Sequence, residues 1–178
     1  MLELIVPEQE LYNDDTNEFV TVHKTNLKLE HSLISISKWE SKWHKSFLNS
    51  ADKTNEEVYD YIKCMTINPV DDSVYTALTN DNINEIMAYI NDPMTATTIK
   101  DIPGKKNNET ITSELIYYWM VALEIPFECE RWHLNRLLTL IRVCNIKNQP
   151  PKKMSNREIL NQNRALNAAR RKKYHTRG

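Results

Sequence analysis

The apolar positions of this chain change their period once, near Ser32. Before it lie three short β-prone runs, at 2–6 (LELIV), 19–22 (FVTV) and 27–29 (LKL), which alternate imperfectly. They are separated by the turn-rich NDDTN and HKTN, a pattern that predicts a small antiparallel sheet or meander. After Ser32 the spacing is helical: Leu33, Ile36, Trp39 or Glu40, Trp43 and Phe47 fall on one face, and Lys38, Lys42 and Lys45 share the other. Thr54 with Glu57 makes a capping-box pattern that opens a second helix, in which Val58, Tyr61, Ile62 and Met65 keep the i, i+3, i+4, i+7 spacing. Pro69 ends that segment, a short helix is expected from Asp72 to Leu78, and another from Asp81 to Asn91 turns Ile83, Ile86, Met87 and Ile90 inward.

Residues 91–109 hold two prolines, the internal Gly104 and a polar cluster, which reads as a long flexible loop extending to about residue 110. Beyond it, ITSELIYYWMVAL is apolar on nearly every face, and Pro126 separates it from ECERWHLNRLLTLIRVCNI with its stripe of Leu134, Leu137, Leu138 and Ile141. Helices apolar almost all round belong at the centre of a domain, so a central helical hairpin is expected here. Pro150 and Pro151 break the chain, and Ser155 with Glu158 restarts it as a helix over 156–172. That helix carries only a thin apolar line, Ile159 and Leu166, which points to ordering by docking on a partner or to fraying. The expected class is mainly α (α+β), with an N-terminal β unit at 1–30, a helical core at 31–148 and a basic C-terminal helix or tail at 149–178.

Composition narrows the function. The chain has 178 residues, 40% hydrophobic and 26% charged, the balance of a folding globular protein. Only two glycines occur, Gly104 and Gly178, and nucleotide-cradling loops need several for their positive φ and close backbone approach. A P-loop or dinucleotide fold is therefore excluded. No apolar run reaches the roughly 18 residues of a membrane span, and MLELIVPEQE has no basic region ahead of a long apolar stretch, so neither membrane association nor a signal peptide is expected. Cys64, Cys129 and Cys144 lack CxxC spacing and are expected as buried, reduced thiols.

Charge changes the picture more than composition does. Residues 147–178 carry ten Lys or Arg against the single acid Glu158, a formal +9, and the net −1 of the whole chain leaves −10 for residues 1–146. The basic segment, with Arg164, Arg170, Arg171, Lys172 and Lys173, is the candidate partner-binding site. It can meet phosphates, an acidic protein surface or the chain's own acidic body. Without a helix-turn-helix, RRM or zinc-finger pattern, and with an acidic body that repels phosphate, protein docking and self-docking together outweigh nucleic acid.

Catalytic arrangements are weak. Cys129 and His133 lie four apart, a spacing that would place thiol and imidazole on one helix face, but no oxyanion-hole glycine or orienting acid accompanies them and burial of a free cysteine is the commoner outcome. His23, His31, His44, His133 and His175 show no ligand spacing, so no metal site and no cofactor are expected. Asp14–Asp15 and Asp71–Asp72 read as turn and cap residues. Trp39 and Trp43 join the apolar stripe opposite the lysines, which favours packing over base stacking, and Tyr117, Tyr118 and Trp119 are expected to hold helices together. The reading is of a protein that is not an enzyme.

Four phrases carry a family resemblance: LEHSLISISKWESKWHK at 29–45, DYIKCMT at 60–66, ITSELIYYWMVAL at 111–123 and ERWHLNRLLTLIRVCNIKNQPPKKMS at 130–155. They resemble a family of small proteins of tailed bacteriophages and prophages of Gram-positive bacteria, over nearly the whole chain, and within it the tail assembly chaperones of long-tailed phages. The resemblance implies a helical protein of the host cytoplasm that binds the tape measure protein, the tail-tube protein or both during virion morphogenesis and then leaves. It transfers no individual contact residue and leaves homo-oligomerisation open. The alternatives are a structural virion component, such as a connector or tail completion protein, and a nucleic-acid-binding protein acting through its basic tail.

Overall fold

The computed structural model describes residues 1–13, 18–50, 52–99, 109–148 and 155–175. Four strands open the chain: β1 (Leu2–Val6), β2 (Gln9–Asn13), β3 (Glu18–Val22) and β4 (Thr25–Leu29). β1 pairs with β4 and β2 with β3, both antiparallel, so the strands nest as one hairpin ribbon interrupted opposite Pro7 instead of forming a meander. Pro7 has no N–H to give a ladder, which accounts for the break. Leu4, Val6, Leu27 and Leu29 alternate inward and are buried, while Ile5 between them is exposed. The free edge of β4 is covered by the chain after the second helix: Ile67 N–H donates to Lys28 O at 3.0 Å, and Lys28 N–H donates to Asn68 Oδ1 at 2.8 Å.

The helices are α1 (Leu33–Trp43), α2 (Asn55–Met65), α3 (Ser73–Thr76), α4 (Asn80–Asn91), α5 (Ser113–Ala122), α6 (Leu134–Asn148) and α7 (Asn156–Tyr174), with a 3-10 turn at Phe127–Arg131 between α5 and α6. The protein is thus mainly helical with a small antiparallel β part. It divides into two compact units, Met1–Ile146 and Lys147–Gly178. In the first, the strands share one core with α1–α6 and are not a separate β unit. A two-stranded ribbon alone has too little apolar area to be stable, so it must lie on helices.

α1 is the helix around which the others gather, packing against α2, α5 and the 3-10 turn. Its Leu33, Ile36 and Trp39 are fully buried. The expected α5–α6 hairpin is corrected to this extent: α5 and α6 each supply a stripe to the core, but the central position belongs to α1. The sequence 128–133 forms a 3-10 turn and a bend, so α6 starts only at Leu134. Its Leu134, Leu137 and Ile141 are buried, and Leu138 is half-buried. α5 buries only Ser113, Ile116 and Met120, and Tyr118 and Val121 stand 64% and 61% exposed.

α1 ends at His44, which takes a left-handed φ of 53°, so Phe47 is not on the helix at all. The reversal brings Phe47 back over the core, 5.2 Å from the Trp39 ring and 4.0 Å from that of Tyr61. Glu40 fixes this turn from inside. Its carboxylate accepts from Phe47 N–H at 2.8 Å and from Ser113 N–H at 2.7 Å, joining the end of α1 to the start of α5. α2 opens with the expected capping box, Thr54 and Glu57 each bonding the other's backbone N–H. α4 is capped in the same way by Thr79 and Asn82, and buries Ile86 and Tyr89, whereas Met87 is 46% exposed. Of the loop expected at 91–110, residues 92–99, 109 and 110 are described and have no regular structure; 100–108, with Gly104, lie outside the described residues, as do Pro150 and Pro151.

Candidate partner-binding site

All five residues assigned to partner binding, Arg164, Arg170, Arg171, Lys172 and Lys173, lie on α7. Nineteen residues at about 1.5 Å each make a rod roughly 28 Å long. Its start is specified locally: Ser155 Oγ accepts from Glu158 N–H at 3.2 Å, and Glu158 Oε2 accepts from Ser155 N–H at 2.8 Å. These bonds hold the Glu158 carboxyl below the usual carboxylate range. At the other end Arg171, Lys172 and Lys173 fill the last turn, where cations meet the negative end of the helix dipole. No residue of α7 is buried.

Helical phase gives α7 two faces, and Arg170 and Lys173 fall on the apolar one. Arg157, Arg164 and Arg171 recur every seven residues on one face, and Ile159 with Leu166 recur on the face roughly opposite. Leu160 lies beside the arginine stripe, and all three apolar side chains are exposed.

The other candidates fall into structural places. Trp39 is fully buried and donates Nε1–H to Glu57 O, and Trp43, half-buried against the core, donates Nε1–H to Asp60 Oδ2, both at 2.9 Å, so both serve packing. Lys42 and Lys45 do not form a free basic face, because they pair with Asp60 and Glu57 of α2. Tyr117 donates its hydroxyl to Glu130 at 2.9 Å, but Tyr118 points to solvent and holds no helix. Asp71 accepts from Ser73 N–H at 2.9 Å and Asp72 pairs with Lys63, while Asp14 and Asp15 lie outside the described residues.

Cys129 is buried in the 3-10 turn, where burial pushes its thiol up. Cys64 and Cys144 are free as well but only half-buried, against expectation. His133 does not serve the thiol. Its Nε2–H donates to Tyr89 O at 2.9 Å, and its ring packs on Tyr89 and on the buried His31, at 5.0 and 4.9 Å. His133 Nδ1 is buried without a partner among the described residues. Those residues contain no group of three or more His, Cys, Asp or Glu placed to hold a metal ion. No described helix is long and apolar enough to cross a membrane.

One feature escaped sequence reasoning. Between α2 and α4 lies an apolar cavity of about 180 Å³, walled by Val58 and Ile62 of α2 and by Ile83, Ile86 and Ile90 of α4. Phe47, Tyr61, Met87 and Lys53 complete it, and Lys53 is the one charged residue among them. The amphipathic stripes of both helices were legible, but both were expected to be consumed by the core.

No family model, curated protein or solved structure matches this chain.

Proposed function

We propose that this protein is a non-catalytic binding protein that captures an acidic, amphipathic client through α7, and that it acts as a tail assembly chaperone of a tailed phage. In this role it works in the host cytoplasm, holding the tape measure protein, the tail-tube protein or both until tube subunits assemble. The observation that carries the reading is α7 itself, an exposed, capped helix of 19 residues with Arg157, Arg164 and Arg171 on one face and Ile159, Leu166, Arg170 and Lys173 on the opposite one. The phrases at 29–45 and 130–155 that resemble phage proteins supply the biological setting. The mechanism follows from the mixed surface of this helix: Arg164, Arg170, Arg171, Lys172 and Lys173 draw acidic groups in and speed encounter, and Ile159 and Leu166 then cover apolar surface of the client.

The test is co-expression with the tape measure and tail-tube proteins of the same genome, with purified virions analysed in parallel. Capture of the tape measure protein, its loss when Arg164, Arg170 and Arg171 are changed to Glu, and absence from virions are the expected results. Abundance in virions would make the protein a structural component instead. Recovery of nucleic acid alone, in a complex that dissolves steeply with salt, would assign the basic helix to phosphates.

A further inference from the structure

The cavity between α2 and α4 has the form of a receptor for one side chain. Apolar cavities of roughly 150 Å³ stay dry and accept a benzene-sized group, so about 180 Å³ admits a Leu, Met or Phe side chain. Its α4 wall, Ile83, Ile86, Met87 and Ile90, is a stripe two turns long, the footprint against which an amphipathic helix lies. Met87, nearly half exposed, marks its open side.

The charge beside it narrows the occupant. Lys53 is half-buried, with its Nζ 4.3 Å from the Phe47 ring centroid. Its ammonium donates to Phe47 O at 2.8 Å and Ser50 O at 2.7 Å, which accounts for two of its three N–H groups among the described residues. Among the described residues no carboxylate forms an ion pair with it. Glu57 acts on it at longer range, but that carboxylate is bonded to Lys45 and Thr54. By helical phase Asp81 and Glu85 of α4 and Glu56 of α2 fall on faces turned away from the cavity. The site therefore combines an apolar hollow with one fixed cation that has no ion-pair partner among the described residues, and no acid in its lining.

We propose that this cavity seats a large apolar side chain of a partner helix, and that a carboxylate one turn along the same helix completes the bonding of Lys53. The inference rests on the binding role proposed above and names the chemistry of the client: an apolar stripe with an acid beside its central residue. A stripe flanked by lysine leaves the Lys53 ammonium facing a like charge and is rejected.

The experiment uses the full chain and two fluorescein-labelled 16-residue peptides, read by anisotropy. Both carry leucines at i, i+3 and i+7; one has Glu and the other Lys one turn from the central leucine. The Glu peptide is expected to bind about tenfold more tightly than the Lys peptide, the factor that one charge-assisted hydrogen bond supplies. Lys53→Met should abolish that preference, and Met87→Glu, at an exposed position that does not threaten the fold, should weaken the Glu peptide by about tenfold. Failure of the Glu peptide to bind, or unchanged binding to Met87→Glu, or a preference that survives in Lys53→Met, overturns the proposal. Arg164→Glu, Arg170→Glu and Arg171→Glu combined separate the two claims. If this variant alone loses binding, the cavity is not the seat and the role of α7 stands; if only the Lys53 and Met87 variants lose it, the seat stands and the role of α7 falls.

Discussion

His31 lies at the junction of β4 and α1 with its imidazole almost fully buried, sharing a hydrogen bond with the Tyr61 hydroxyl and its ring edge with His133. Burial, with a smaller contribution from the neighbouring His133, lowers its pKa from 6.5 to about 3. His133 is lowered too, chiefly by burial. The unfolded chain gives His31 its ordinary value, so between pH 6.5 and about 3 it binds a proton that the folded chain refuses. Stability is then fully present above pH 6.5 and falls as the pH drops through this window, by up to about 1.4 kcal/mol per pH unit for one proton. Urea midpoints measured from pH 7 to pH 4 should show this slope, and His31→Gln should flatten it. An equal slope in the variant would assign the acid limb to other groups. His31 was visible in the sequence only as one of five scattered histidines. Nothing local distinguishes it, because its burial and its partners come from positions 30 and more than 100 residues away.

At the scale of elements, the parts written within a few residues were legible and the parts set by distant contacts were not. Thr54 with Glu57 and Ser155 with Glu158 predicted the starts of α2 and α7, because each box closes on itself across three residues. Replacing Thr54 by Ala leaves an N-terminal N–H of α2 without its acceptor and should cost about 1 kcal/mol in urea unfolding. A change below measurement would mean that water replaces the cap. The strand β2, by contrast, has the unpromising sequence QELYN and is extended because β3 pairs with it, setting Tyr12 opposite Phe19. Phe47 matched the helical period of α1 by coincidence of spacing; it reaches the core only after the chain reverses at His44, a turn held by Glu40. Tyr118 and Val121 of α5 were expected inside because the segment is apolar all round, yet only one stripe of α5 meets α1. Apolar composition says that a helix can be buried, and the number of neighbours says how much of it is.

For the whole molecule, the asymmetry of −10 and +9 separates two kinds of work. Residues 1–146 hold the buried core, with the fully enclosed Trp39, Leu33, Ile36, Ile116 and Leu134. Deletion of residues 152–178, which belong to the other compact unit, should leave the urea midpoint of the remaining chain within about 0.5 kcal/mol of the parent, as for surface changes away from buried groups, while the client capture proposed for α7 is weakened. A large fall in stability would show that the basic segment supports the body. The basic cluster was legible in the sequence and the cavity was not. Arg164, Arg170, Arg171, Lys172 and Lys173 were evident because charge density is a property of sequence. The cavity beside Lys53 was not, because an amphipathic stripe looks the same whether a neighbour fills it or leaves a gap.

By itself the sequence determined the class, the starts of α2 and α7, the division of charge and the position of the basic helix. Tertiary structure decided which apolar stripes were consumed by the core, where Glu40 and His31 were buried, how the strands nested and where a hollow remained between α2 and α4. The physical reason is that caps, turns and helical phase are settled by local sterics and hydrogen bonds, whereas burial depends on the shape of what lies opposite. That shape is set by residues far away in the chain.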